Sequence, residues 1–430
     1  MSLIGTIKAE FTGRVARNTV WMFCGMGLRL VIQAFYFIVI ARSLGASGYG
    51  AFIGVVALVG IVYPFGDLGS GGLLVKNVSR DQSLFPAYWG SALSITGATS
   101  SALYVAVLIL SRFTLPATIP FMLVLLVSGS DLLGLSIITL SGQAFQAFDR
   151  LNWTATINVL VSASRLAAAL LLIGISRRPS PLQWGYVYFF STAVVALSAI
   201  VLVTAKLGRP RFGWQRGRGE AREGFYFSVG LSAQTIYNDL DKTMLARLGT
   251  LEATGIYGAA YRLIDVSFVP VSSLLTASYS NFFRAGADGI SASLSYAKPL
   301  LKRAFGYSIF ACVALLACAG IVPHVLGSQY AQTVEALRWL SVLPILKAIH
   351  YFYSNALTGA GYQALRARIQ AGVAVFNVAI NFWLIPLYSW RGAAWSSIAS
   401  DGLLACGIGL AAFVLFRRSQ NVLVNVTANA

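Results

Sequence analysis

Along this chain the apolar positions recur neither every second residue nor on one face of a helix; they run on for twenty or more residues before short polar stretches interrupt them. Twelve such runs can be marked, near 15–41, 49–75, 87–111, 117–141, 152–175, 183–205, 224–248, 255–283, 299–324, 334–358, 365–388 and 392–416. A bilayer core about 30 Å thick asks for about 20 apolar residues per helix. The runs are rich in alanine, leucine and glycine and lack period-2 alternation, which favours helices over the short alternating strands of a membrane barrel. The expectation is an all-α polytopic membrane protein with twelve transmembrane helices.

The longest polar interruption, KLGRPRFGWQRGRGEARE at 206–223, divides the runs six and six. The two sides carry matching pieces. ARSLGASGYGAF (41–52) follows the first run and ARLGTLEATGIYGAA (246–260) follows the seventh; LSGQAFQAF (140–148) leaves the fourth and LTGAGYQAL (357–365) leaves the tenth. Glycine at helix ends accounts for each piece locally, but not for two matches in the same order. Copies six spans apart share one orientation in the membrane, as halves related by an axis along the membrane normal. The expected domains are therefore residues 1–205, a six-helix bundle; 206–223, a basic cytoplasmic linker; and 224–430, a second, pseudo-symmetric six-helix bundle, with a central cavity between the two.

Composition agrees: 57% of the residues are hydrophobic, 11% are charged and the mean hydropathy is +0.72. The formal net charge of +18 has the look of a nucleic-acid binder until its charges are placed. With the N-terminus in the cytoplasm, the cytoplasmic segments hold 20 of the 32 Lys and Arg, the opposite loops hold five (Arg42, Arg112, Arg177, Arg178 and Arg391), and seven lie within runs. That asymmetry is the positive-inside pattern, with both termini cytoplasmic, and it requires no nucleic-acid partner. Arg14, Arg17 and Asn18 flank the first run, which reads as a helix and not as a removable signal. Cys24, Cys312, Cys318 and Cys406 fall within apolar runs without CxxC spacing, so they predict packing and neither disulfides nor zinc.

The informative residues are the charges inside the runs. Each costs about 2.5–3.5 kcal/mol at a helix centre on insertion scales, yet thirteen occur: Arg29, Asp67, Asp131, Arg165, Asp239, Asp241, Lys242, Arg247, Arg262, Asp265, Arg338, Lys347 and Asp401. At about 100° per residue, Gln234, Asn238, Asp241 and Lys242 share one arc of the seventh helix. Arg262 with Asp265 and Lys347 with His350 have the i,i+3 spacing that places two groups on one face. Structural ion pairs account for individual charges; charges spread over eight of the runs point to a solvated pathway. Seven are basic and six acidic, so their sum does not fix the sign of a cargo. Arg29 and Arg165 have no acid within four residues, which leaves a partner helix or an anionic ligand to compensate them, and guanidinium suits phosphate. Tyr257 and Tyr261, and likewise Asn377 and Asn381, are i,i+4 pairs whose ordinary roles are packing and helix–helix hydrogen bonding.

Catalysis finds little support. Asp239-Leu240-Asp241 spells a DxD metal motif, but the connections are too short to hold the soluble domain such motifs serve. The only histidines are His324 and His350, and no Walker loop, HExxH or Ser/His/Asp arrangement is present. No cofactor and no metal site is expected.

Asn18-x-x-Trp21 leading into ARSLGASGYGAF, Asp241-Lys242 with GIYGAAYRL (255–263), ALTGAGYQ (356–363), Asn377 and Asn381, LIP (384–386) and RGAAW (391–395) together resemble the Wzx-like oligosaccharide flippases of the multidrug/oligosaccharidyl-lipid/polysaccharide exporter superfamily. The resemblance spans nearly the whole chain. It implies a bacterial inner-membrane protein that moves undecaprenyl-diphosphate-linked glycan between leaflets by alternating access, in company with membrane lipid, a polysaccharide polymerase and a chain-length regulator. It implies a cationic cavity, for which Arg29, Arg165, Lys242, Arg262, Lys347 and Asn238 are the substrate-binding candidates. Use of an ion gradient would fall to Asp67, Asp131, Asp265 and Asp401, since a buried carboxylate can hold a proton. Lipid II flippases of the superfamily carry an Arg-Asp pair where Tyr36-Phe37 stands here, which favours a surface-polysaccharide repeat unit as cargo. The competing readings are a drug/cation antiporter of the same superfamily and an integral-membrane polymerase or glycosyltransferase.

Overall fold

In the computed structural model, backbone is described for residues 3–176, 178–212 and 239–428, and side chains for 27–176, 178–212, 239–279 and 281–420. No strand occurs among the described residues. The helices are α1 (Leu3–Val62), α2 (Ser70–Val78), α3 (Phe85–Thr114), α4 (Phe121–Ala147), α5 (Leu151–Ile175), α6 (Pro181–Leu207), α7 (239–248), α8 (Leu251–Ala287), α9 (Ile290–Leu326), α10 (Thr333–Leu340), α11 (Leu343–Gly359), α12 (Gln363–Tyr388) and α13 (Trp390–Ala428). Among the described residues, eight helical stretches are long and apolar enough to cross a membrane. The protein is an all-helical, multi-pass membrane protein, and each expected run lies mainly in helix; residues 224–238 of the seventh lie outside the described residues.

The helices differ from the expected runs in four places, each with a physical cause. The first two runs are joined in α1, which breaks at Gly45, where φ is 72° and only glycine sits without strain. The second run is interrupted at 66–69: Leu68 and Gly69 take positive φ, and α2 starts afresh at Ser70. Hydroxyls repair this break, since Thr99 Oγ1 and Ser100 Oγ both donate to the freed Gly66 carbonyl. In α4 the backbone widens into a π-helical stretch at Gly129–Leu135. The tenth run is divided, because α10 ends at Leu340 and Pro344 sits near the start of α11.

The chain divides into two compact units, Met1–Thr243 and Met244–Ala430. The expected linker, 206–223, lies mostly outside the described residues; its 208–212 portion lies along α3, with Arg211 N–H donating to the Pro86 carbonyl at 2.7 Å. In the N-terminal unit α5 packs along α1 and α6, and α2 and α6 pack on α4. Its core gathers Leu74, Phe85, Trp89, Phe145, Ile157 and Val203. In the C-terminal unit α11 is central, touching α8, α9, α12 and α13. Cys318 and Cys406, expected to pack, are exposed, as a weakly polar side chain facing hydrocarbon can be.

The repeated sequence pieces fall on the same structural events in each unit. Gly45 breaks α1 just before Tyr49, and the α7–α8 corner at Gly249-Thr250 comes just before Tyr257; both tyrosines are buried. The second pair ends α4 and α11, each followed by a left-handed residue, Asp149 (φ 55°) and Gly361 (φ 85°). In the C-terminal unit a glycine contact sets the α8–α11 approach: a Cβ on Gly359 would lie 2.3 Å from the Phe282 carbonyl oxygen, and one on Gly286 would lie 2.2 Å from Gly359 backbone. Gly359→Val is therefore expected to cost about 1–3 kcal/mol of stability through overpacking. Thermal unfolding of the purified protein checks this, and an unchanged midpoint would contradict so close an approach.

Candidate functional site

The N-terminal unit holds a polar cluster built on the π-helical stretch of α4. Adding one residue to a helical turn rotates the following side chains, and such bulges are frequent at functional sites. Here the stretch carries Asp131, which is buried. Arg165 of α5 donates from Nη2 to Asp131 Oδ1 at 2.9 Å, and Tyr188 of α6 donates its hydroxyl to the same oxygen at 2.8 Å. The Arg165 guanidinium lies 4.1 Å from the centroid of the Tyr188 ring, a cation–π contact. Thr192 accepts from Arg165 Nε and Nη2 and from Ser130, and donates to the Tyr188 carbonyl. Tyr63 interacts electrostatically with Asp67, Asp131 and Arg165, and shares a 2.9 Å hydrogen bond with Thr139. Three candidates read from sequence thus converge around Tyr63.

Two expectations change here. Arg165 has a partner on another helix: its charge is met by Asp131, with side-chain exposures of only 15% and 9%. Asp67 is not an isolated buried acid. Its two oxygens accept from the Gly69 and Gly71 N–H groups at 3.0 and 3.3 Å, so it caps the N-terminus of α2, where a carboxylate is favoured by unpaired amides and by the helix dipole.

The remaining candidates of this unit lie elsewhere. Arg29 is exposed on α1. On α7, Lys242 Nζ donates to Asp239 Oδ1 at 2.6 Å, so the charges of the seventh run are in part paired i,i+3 on their own helix. Asp241 is buried and accepts from the Lys242 N–H. Asn238 lies outside the described residues.

A second polar cluster lies in the C-terminal unit, on α11, α12 and α13. His350 and Asp401 meet at 3.0 Å (Nε2 to Oδ1), with side chains 0% and 1% exposed. Lys347, one turn before His350, is buried with its ammonium 5.1 Å from the centroid of Tyr261. Asn381 donates to Asn377, Asn377 to Ser400, and Ser396 to Asn381, which makes the i,i+4 asparagines the helix–helix hydrogen bonds their spacing suggested. Tyr257 is likewise a packing residue, bonded to Ser397 at 2.8 Å. Arg262 is half-buried, whereas Asp265, expected as a buried carboxylate, is exposed. Arg338, expected inside a span, is exposed on α10.

Sequence reading missed Ser130, Tyr188 and Thr192, the neutral partners of the Arg165 pair. Hydroxyls on apolar helices are too common to single out. Among the described residues no group of three or more His, Cys, Asp or Glu could hold a metal ion.

Buried charges paired inside long apolar helices, in two units carrying the same internal repeat, define a polytopic membrane protein with a polar interior in each unit. A family model described as polysaccharide biosynthesis protein matches residues 15–284, well over half of the chain, and the chain belongs to that family. No curated protein matches it. Among solved structures, an inward-facing multidrug-resistance MATE family transporter of the MOP superfamily is similar at a TM-score of 0.74, with 16% identity, over 92% of this chain and 98% of that one. An outward-facing MATE family transporter gives 0.64 at 15% identity, covering 97% of each chain. A MOP superfamily transporter from Pyrococcus furiosus, described as having a binding pocket of reversed polarity that suggests a different function, gives 0.64 at 14%, covering 94% and 95%. At such identities the likeness is one of fold.

Proposed function

We propose that the protein is a flippase that moves an undecaprenyl-diphosphate-linked oligosaccharide from the cytoplasmic to the periplasmic leaflet of a bacterial inner membrane, for surface polysaccharide assembly. The observation that carries this reading is the family match over residues 15–284. The physical need is plain: a diphosphate-sugar head group cannot cross about 30 Å of hydrocarbon unaided. Both termini lie in the cytoplasm on this reading, which the excess of Lys and Arg in alternate loops supports.

Arg29, Lys242, Arg262 and Lys347 are the groups we assign to the head group, with Asn238 beside Lys242. Arg165 acts with Asp131 as an interior pair and not as a lone cation. Coupling to an ion gradient is assigned to Asp131 and Asp401, the two candidate acids that are buried and joined to a basic side chain. Polymerase and chain-length regulator are the expected downstream partners.

A drug/cation antiporter is the second reading, favoured by the fold shared with MATE family transporters. The two differ in the sign of the ligand. Purified protein in nanodiscs is expected to bind an undecaprenyl-diphosphate-linked trisaccharide, to lose that binding on addition of undecaprenyl diphosphate, and to be indifferent to tetraphenylphosphonium. Binding of the cation with none of the diphosphate lipid would replace the flippase by the antiporter.

A further inference from the structure

The division of the tenth run leaves a short amphipathic helix, α10, whose inner face is Thr333, Ala336, Leu337 and Leu340. Its other face carries Glu335, Arg338 and Trp339, which line an open cleft of about 520 Å³ with Ala331, Gln332 and Val334. None of these residues has a part in the transport site described above.

Two of the cleft's polar side chains, Glu335 and Gln332, are held by the start of α13. Glu335 is gripped bidentately by Arg391, with Nε to Oε1 at 3.1 Å and Nη2 to Oε2 at 2.9 Å. The Arg391 guanidinium stands 5.3 Å from the centroid of Trp390, whose Nε1 donates to Gln332 Oε1 at 2.9 Å. Trp339, 42% exposed, lies 5.5 Å from Trp395, and Tyr388 lies 4.9 Å from the same ring. The indole nitrogen of Trp395 is buried and has no hydrogen-bond acceptor among the described residues. Arg338 is exposed beside Trp339 and enters none of the ion pairs found among the described residues.

Aromatic residues at a membrane surface commonly form a belt at head-group level. This group differs in two respects. Three rings are gathered against one another instead of being spaced along a helix, and the one that lines the cleft, Trp339, shares it with a carboxylate already held by a guanidinium. A flat exposed indole beside a fixed carboxylate, an amide and a guanidinium is instead suited to a sugar: the C–H face of the pyranose lies on the ring, the hydroxyls bond to carboxylate and amide, and the guanidinium takes an acidic substituent. Two guanidinium groups against one carboxylate leave the cleft cationic.

We infer that this cleft is a saccharide subsite for a carboxylate-bearing sugar unit, with Trp339 as stacking platform, Arg338 as carboxylate partner, and Glu335 and Gln332 as hydroxyl partners. The inference rests on the flippase reading for its cargo. On the expected topology the 325–333 and 389–391 connections are periplasmic, so the subsite would receive the glycan after it has crossed.

The test uses the full-length protein in phosphatidylcholine nanodiscs, with a galacturonate trisaccharide as probe, maltotriose as its uncharged counterpart, and titration calorimetry with saturation-transfer NMR as readouts. Galacturonate is expected to bind more tightly than maltotriose. Trp339→Ala and Arg338→Gln should each weaken galacturonate about tenfold, the factor that corresponds to about 1.4 kcal/mol. Trp339→Phe, which keeps a ring, should retain most of the binding, and Arg338→Gln should leave maltotriose unchanged. Equal binding by wild type and both variants, all folded, would overturn the subsite. So would displacement of the trisaccharide by glycerol 3-phosphate at equal concentration, which would make the cleft a lipid head-group site. Flipping of a lipid-linked glycan is followed in parallel. Flipping without trisaccharide binding removes the subsite and keeps the flippase; trisaccharide binding that Trp339→Ala abolishes, without flipping, keeps the subsite and removes the flippase.

Discussion

Asp131→Ala is expected to destabilise the protein by about 3–5 kcal/mol, the cost of stranding a buried charge whose partner has been removed. The reason lies in what Arg165 would lose. Its Nη2 bonds to Asp131 at 2.9 Å with only 15% of the side chain exposed, and its remaining contacts, the Thr192 hydroxyl and the Tyr188 ring, are neutral. Arginine cannot discard its proton to escape, so the cation stays. Replacing both partners with apolar residues of similar size, Asp131→Leu with Arg165→Met, should recover the loss or exceed it by about 1–4 kcal/mol, as in other buried pairs. Unfolding of the two single variants and the double variant in one detergent checks the coupling. If the single variants together cost no more than the double one, Asp131 and Arg165 are not a pair. Transport by the double variant carries separate information: a stable protein that no longer flips would place the pair in the transport cycle.

The second large effect is expected at His350 and Asp401. The two side chains lie 3.0 Å apart and are sealed from solvent within the C-terminal unit. A buried imidazole–carboxylate contact is a place where a proton can be held or released with little change of shape. Asp401→Asn keeps an oxygen able to accept from His350 but removes the negative charge. We expect the variant to fold and to bind the glycan lipid, while the gain in flipping from an imposed proton gradient falls about 5- to 150-fold, the usual span of a coupling free energy. His350→Asn should act in the same direction. A gradient-driven rate equal to that of wild type in both variants would take coupling away from this pair.

The fold was legible in the sequence because spanning a bilayer imposes long apolar runs, and these survive as helices from α1 to α13. The repeat was legible for a related reason: a corner that needs glycine or a left-handed residue leaves a mark, and Gly45, Gly249 and Gly361 fall on such corners or at helix ends. The breaks were harder to see. Asp67 reads as an intramembrane acid when only hydropathy is consulted, yet Gly66, Gly69, Gly71 and Gly72 around it are what an unwound, capped helix start requires. Pro344 marked the division between α10 and α11, but the apolar run continues through it, so Arg338 was placed inside a span when it is exposed on an amphipathic helix.

The site was less legible than the fold. That Arg165 required either a partner helix or an anionic ligand followed from its own neighbours, but linear order cannot choose Asp131, 34 residues earlier on another helix, over the other acids. Lys347 and His350 are both buried on α11. What lay opposite, Asp401 on α13 and the Tyr261 ring on α8, depends on helix packing alone. Arg29 is exposed on α1, whereas Arg165 is paired with Asp131.

The measurement that bears most directly on the central claim is leaflet exposure of a fluorescent undecaprenyl-diphosphate-linked oligosaccharide in vesicles containing the purified protein, followed with a membrane-impermeant quencher. The account predicts that the protein brings the glycan to the opposite leaflet far faster than protein-free vesicles do, and that Arg29→Ala with Lys347→Ala removes most of the difference. Glycan crossing at the protein-free rate, under conditions where the same vesicles expel a lipophilic cation, would contradict it.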